Sequence, residues 1–197
     1  MPDAVVMSSP LAGLAGQPQR VLQVEGRECR LAEIRFDEML NLRGNSGNSG
    51  DGRFVSAVLQ CTGMHLPLRA NSASIDPQRQ LLWLGPDEWL LKVRDGQVTA
   101  IADALRAALQ GVHSAVVDVG HGNTTFALQG PGAADLLARG CPLDLHPRGF
   151  PTGALAQSHI AKAGATLLCL QAGTHYELTV RRSFADYLFH WLSAAGD

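Results

Sequence analysis

The chain has 197 residues, room for one sizeable domain or two small ones. Apolar residues make up 46%, enough for a real core, while the formal net charge of −2 and the lack of a long basic run exclude the positive footprint that nucleic-acid binding needs. No stretch of about eighteen consecutive apolar residues occurs, so a membrane-spanning helix is not expected.

Only 17% of the residues are charged, against about a quarter in an ordinary soluble domain, which points either to a surface covered by a partner or to the many Ala and Gly residues. The opening stretch MPDAVVMSSPLAGLAGQPQ lacks the basic start and continuous apolar segment of a signal peptide, and a cytoplasmic protein is expected. Cys29, Cys61, Cys141 and Cys169 contain no CxxC pair and read as reduced thiols.

Residues 1–24 begin rich in Ala, Gly, Pro and Ser and read as a flexible arm. From 31 to 42 the alternation is partial, with Ile34, Phe36, Met39 and Leu42 apolar, and predicts one or two short strands. GNSGNSGDG, residues 44–52, has neither the Gly-Lys-Ser/Thr ending of a Walker loop nor GxGxxG between a strand and a helix. It reads as a flexible loop, with Asp51 placed to cap the following helix. In that helix Phe54, Val55, Val58, Leu59 and Thr62 fall at helical spacing. Residues 67–77 read as irregular. QLLWLGPDEWLLKV, residues 80–93, predicts a β-hairpin around Gly85-Pro86-Asp87-Glu88 that carries Trp83 and Trp89. Ile101, Ala102, Leu105 and Leu109 form a helical stripe that Gly111 stops, and 112–118 is a further strand. Strand, helix, hairpin, helix, strand is the order of a ferredoxin-like unit.

The second half partly echoes the first. Residues 123–128 predict a strand, and Pro131 suits the first turn of a helix whose apolar face is Ala134, Leu137 and Ala138. Arg139 lies near the negative end of that helix and Gly140 reads as its C-cap. Strands are predicted at 154–160, 165–170 and 176–180, with turns at 162–164 and 172–174. A last helix carries a Ser183–Asp186 capping box and a stripe of Phe184, Tyr187, Leu188, Trp191 and Leu192. The expected fold class is α+β: two ferredoxin-like layered units of antiparallel sheet with helices on one face, one spanning 25–112 and the other 113–197.

The seven histidines include no HExxH pair, and Cys141, Asp144 and His146 have no known zinc-ligand spacing. Cys141 with His146 as base would make a hydrolase, but Cys141 follows a helix end, whose partial negative charge disfavours a thiolate. No GxSxG is present, and carboxylates are scattered.

VVDVGHGNTTFALQGPGAADLLARGCPLDLHPRGFPTGALAQSHIAKAGATLLCL followed by YELTVRRSFADYLFHWL resembles the gamma subunits of heterotetrameric sarcosine oxidases, and LNLRG, the Phe54 helix and LLWLGPDEWLL match in order. The resemblance covers roughly residues 25–195 and implies a fold similar to the folate-binding aminomethyltransferase group. It implies a non-catalytic structural subunit of a complex that oxidatively demethylates sarcosine to glycine, hydrogen peroxide and formaldehyde or methylenetetrahydrofolate. The implied partners are alpha, beta and delta subunits, chiefly alpha. The implied cofactors are FAD, FMN, NAD, tetrahydrofolate and zinc on those other subunits, with none in this chain. The alternative is a folate-binding or aminomethyl-transferring protein acting alone, for which Asp118 and Glu177 are the candidate carboxylates.

One segment fits a docking role. RGCPLDLHPRGFPTG, residues 139–153, is stiffened by Pro142, Pro147 and Pro151. Leu143, Leu145 and Phe150 are its candidate apolar anchors, and Arg139 and Arg148 can donate forked hydrogen bonds. The segment is expected to be an intersubunit or interdomain clamp, or else a purely internal connection.

Overall fold

The computed structural model describes residues 8–13, 19–35, 37–47 and 52–196. Among them the strands are β1 (Gln19–Val24), β2 (Arg27–Ile34), β3 (Glu38–Gly44), β4 (Ala73–Ile75), β5 (Arg79–Gly85), β6 (Glu88–Val93), β7 (Ser114–Asp118), β8 (Asn123–Gln129), β9 (Leu155–Ile160), β10 (Ala163–Gln171) and β11 (His175–Arg181). The α-helices are α1 (Arg53–Thr62), α2 (Val98–Ala108), α3 (Ala133–Ala138) and α4 (Ala185–Gly196).

Two antiparallel sheets result: a five-stranded one in the order β4-β5-β6-β3-β7 and a six-stranded one in the order β1-β2-β8-β11-β10-β9. Side-chain alternation sets the layers. In β6, Trp89, Leu91 and Val93 pack with Phe54 and Val58 of α1 and Ile101 and Leu105 of α2. In β11, Tyr176, Leu178 and Val180 pack with Leu136 of α3 and Leu188 and Leu192 of α4. The opposite faces meet each other, Met39, Leu82 and Leu90 against Leu155 and Leu168. The layers therefore run helix, sheet, sheet, helix. Strands at the centre are buried on both faces, which is why WLLKV reads as a nearly continuous apolar run.

The first sheet has the expected ferredoxin-like order: β3-α1-β5-β6-α2-β7, with β7 beside β3. The second repeats it. β8, α3, β9, β10, β11 and α4 take the places of β3, α1, β4, β5, β6 and α2, and β2 fills the position of β7. Leu42 lies opposite Trp89 in one sheet, as Leu128 lies opposite Tyr176 in the other. Both hairpins slip register at the same place, between Trp83 and Gly85 and between Cys169 and Gln171. The second unit thus borrows its last strand from the other end of the chain.

That borrowing changes several expectations. The flexible arm does not extend to residue 24: β1 joins the six-stranded sheet, with Leu22 and Val24 buried and Val21 and Gln23 exposed. Leu11 is also inside the second core. The division between units does not fall once, at 112: β1 and β2 belong to the sheet that 123–181 builds, and the five-stranded sheet spans 38–118. Within 67–77, read as irregular, lies the short edge strand β4.

Helix phases shift as well. The helix α3 starts at Ala133, so Ala133, Leu136 and Leu137 are buried and Ala138 is exposed. Six residues are too few for periodicity to set the phase. Gly140 is not held in a left-handed cap; a Cβ there would run into the Trp191 ring, so the residue is small for space. The α4 stripe is Ala185, Leu188, Phe189 and Leu192; Phe184 sits exposed in a preceding 3-10 turn, and Tyr187 and Trp191 flank the core half-buried. No Ser183–Asp186 capping box forms, because Ser183 lies inside the 3-10 turn that precedes α4 and Asp186 Oδ1 instead lies 3.3 Å from His190 Nδ1. Asp51 and Phe36 lie outside the described residues; at the start of α1, Gly52 occupies the cap position with no side-chain hydrogen bond.

Candidate functional site

The strongest concentration of polar chemistry lies between the two sheets. Lys92 on β6 sends its Nζ to Asp37 Oδ2 at 2.8 Å and to Glu177 Oε2 at 2.9 Å. Arg94, just after β6, donates through Nε to Asp37 Oδ1 at 3.1 Å and through Nη2 to Glu177 Oε2 at 2.8 Å. The Lys92 and Asp37 side chains are 1% exposed and that of Glu177 is 3% exposed. Two cations and two anions cancel, and neighbours supply further bonds. Gln80 Nε2 donates to Glu177 Oε1 at 3.2 Å, and Thr125 Oγ1 donates to Asp37 Oδ2 at 2.7 Å. Asp37, Lys92, Arg94 and Gln80 come from the five-stranded unit and Glu177 and Thr125 from the six-stranded one, so the quartet joins the units.

Burial pushes the Glu177 carboxyl up, but Lys92 and Arg94 outweigh it and hold it at about 2 instead of 4.5. A depressed folded-state value stabilises above the unfolded value, and that stability disappears as pH falls from 4.5 toward about 2. The shift corresponds to stabilisation on the order of 3 kcal/mol at neutral pH. An acid titration followed by circular dichroism is expected to show steep loss of stability in this window and a flatter slope for Glu177→Gln. Superimposable titrations would assign the acid sensitivity to other carboxylates.

Beside the quartet a cleft of about 290 Å³ is lined by Glu33, Asp37, Glu38, Asp118, His121 and Arg182, among others. Glu33 accepts from Ser9 Oγ at 2.5 Å and Thr124 Oγ1 at 3.2 Å. Asp118, one of the two carboxylates considered for a pterin, lines this cleft, with its Oδ1 accepting the Gly120 N–H at 2.9 Å. Glu177, the other, does not line it and is engaged in the quartet. The hydrolase pair is not assembled: Cys141 is buried, and His146 Nδ1 accepts the Arg148 N–H at 3.2 Å. Among the described residues no group of three or more His, Cys, Asp or Glu is placed to hold a metal ion. Burial pushes the thiols of Cys29 and Cys169 up to about 11, outside the reactive range at neutral pH.

The segment 139–153 is divided by the fold. Leu145 and Phe150, expected as anchors for a partner, point into the chain's own second core, and Phe150 stacks on Tyr176 with ring centroids 6.4 Å apart. Leu143 packs half-buried against the same core. The Arg139 guanidinium donates to the Ala195 carbonyl in the last turn of α4. Arg148 is exposed. The apolar residues fold inward because the segment bridges α3 to β9 across the end of the sheet and must close the core there.

Sequence reasoning missed the quartet, although two signals mark it. Lys92 interrupts WLLKV and Glu177 interrupts YELTV, and a charge inside a buried strand requires a partner.

The fold and the quartet define a class: a paired-sheet α+β protein whose two ferredoxin-like units are joined by a charge-balanced ion cluster, buried except for Arg94 at its edge. A model of the sarcosine oxidase, gamma subunit family matches residues 46–197. The sarcosine oxidase subunit gamma of Corynebacterium sp. (strain U-96) is 32% identical over 185 residues, 93% of this chain and 87% of that protein. The corresponding subunit of an Arthrobacter species is 31% identical over 163 residues, 82% of this chain and 77% of that one. Among solved structures, a chain of the heterotetrameric sarcosine oxidase of Corynebacterium sp. U-96, in complex with pyrrole 2-carboxylate, superposes with a TM-score of 0.82 at 30% identity, covering 96% of this chain and 94% of that chain. The aminomethyltransferase T of the glycine cleavage system from Bartonella henselae shares the fold, with a TM-score of 0.57 at 16% identity over 82% of this chain and 44% of that one. The chain belongs to the sarcosine oxidase gamma subunit family.

Proposed function

We propose that the chain is the non-catalytic structural gamma subunit of a heterotetrameric sarcosine oxidase. The complex oxidatively demethylates sarcosine to glycine, hydrogen peroxide and formaldehyde or methylenetetrahydrofolate. Alpha, beta and delta subunits are the partners, chiefly alpha, and they carry FAD, FMN, NAD, tetrahydrofolate and zinc. The location is the cytoplasm. The observation that carries this reading is similarity along nearly the whole chain, at 96% coverage and a TM-score of 0.82, to a chain of such a complex. The paired charges agree with it, because Asp37, Lys92, Arg94 and Glu177 serve one another across the sheets, three of them buried and Arg94 at the rim. Such an internally satisfied pair of units offers a rigid body for assembly.

The test is a tagged pull-down of the full chain from its native cells. Co-purifying alpha, beta and delta chains with flavin absorbance are expected. A colourless protein that purifies alone and binds tetrahydrofolate would overturn the reading in favour of a folate-binding protein that acts by itself.

A further inference from the structure

We propose that a groove between residues 69–73 and 143–156 docks a partner subunit by receiving an extended segment that carries an acidic side chain; this rests on the subunit reading above. The groove measures about 640 Å³ and straddles the two units. One wall belongs to the loop before β4, the other to the proline-rich segment before β9. An antiparallel bridge joins Ser72 and Ala154 across it, and Leu155 N–H donates to the Asn71 carbonyl at 3.2 Å.

Both walls are stiff. Phe150 and Leu145 are anchored from behind in the core. Asp144 Oδ1 accepts the His146 N–H at 3.0 Å, and a Cβ on Gly149 would lie 2.8 Å from Asp144 Oδ2, so a side chain there would displace the carboxylate that holds this corner. A wall already ordered loses little entropy when it docks.

Charge selects the occupant. Arg69 lines the groove, and Arg148 adjoins it beside Gly149. Both are exposed, and neither guanidinium has a hydrogen-bond or ion-pair partner among the described residues. Asp144, the acidic residue in the lining, is engaged with the backbone. Leu143, half-buried, offers an apolar contact within the lining. A positive rim beside apolar surface complements an acidic, partly apolar strand, and arginine forks fit carboxylates.

The test is co-purification of the intact complex. Arg69→Glu with Arg148→Glu is expected to weaken retention of the chain about tenfold or more, while the thermal melt of the purified variant matches the wild type. Arg20→Glu with Lys162→Glu, two exposed cations outside the groove, is expected to leave retention unchanged. A photo-reactive benzoylphenylalanine in place of Ala70 is expected to cross-link to an Asp- or Glu-containing peptide of a co-purifying subunit. Normal retention of Arg69→Glu with Arg148→Glu, equal loss in the control pair, or cross-links confined to this chain would overturn the groove proposal alone. A wild-type chain that brings down no other subunit would overturn the subunit reading, and the groove proposal with it.

Discussion

Replacing Glu177 with alanine will destabilise the folded chain by about 3–5 kcal/mol in urea unfolding at neutral pH. The truncation leaves Lys92, 1% exposed, with Asp37 alone, removes the acceptor of Gln80 Nε2 and takes from Arg94 one of its two carboxylates. An uncompensated buried charge, rather than the lost attraction, makes up most of that cost. A second variant separates the two: Lys92→Met combined with Glu177→Leu removes both charges and fills the space, and it is expected to recover most of the loss because a packed apolar pair substitutes well for a buried ion pair. Asp37 and Arg94 still pair in that variant. A loss below about 1 kcal/mol for Glu177→Ala would mean that water reaches the quartet and that the join between the units is weak.

Trp89→Ala will cost about 3–5 kcal/mol, again by urea unfolding, followed by far-ultraviolet circular dichroism because the mutation removes a fluorophore. Trp89 is 0% exposed at the centre of the first core, with its ring centroid 5.6 Å from that of Phe54. Its indole Nε1–H donates to the Pro67 carbonyl at 2.8 Å. Trp89→Phe keeps most of the packing but orphans that carbonyl, and about 1–3 kcal/mol is expected. Tyr176 occupies the equivalent place in the second core, its hydroxyl accepting the Gly173 N–H at 3.0 Å, so Tyr176→Ala should be comparably severe. If Trp89→Ala were tolerated within about 1 kcal/mol, the first unit would have to repack around the cavity, contrary to the usual partial relaxation of such sites.

Much of the hidden symmetry could have been read directly. LLWLGPDEWLLKV and LLCLQAGTHYELTV share leucines at their starts, then Trp89 with Tyr176, Leu91 with Leu178 and Val93 with Val180. LNLRG and FALQG stand in the same relation, and both end in a glycine with no space for a side chain: a Cβ on Gly44 meets the Phe54 ring, and one on Gly130 meets the Glu28 backbone. Those pairs mark two copies of one supersecondary unit. The hairpin at 80–93 and the α2 stripe were legible because each depends on neighbours a few residues apart. The candidate clamp was legible as a stiff segment, but which of its side chains turn inward was not, since Leu145 and Phe150 are apolar in either role.

The α+β class, the ferredoxin-like order of the first unit and the family resemblance are legible in the amino-acid order alone, because local periodicity, turn chemistry and motif order all lie along the chain. That β1 and β2 complete the second sheet emerges on folding, since pairing Ile34 with Thr125 is a long-range choice that no local pattern encodes. Closure of the sheets makes Glu177 a join between the two units through Lys92 and Arg94. A charge in an apolar strand announces that it needs a partner, but its partners here, Lys92 and Arg94, lie more than eighty residues away and meet it only when the two sheets close face to face.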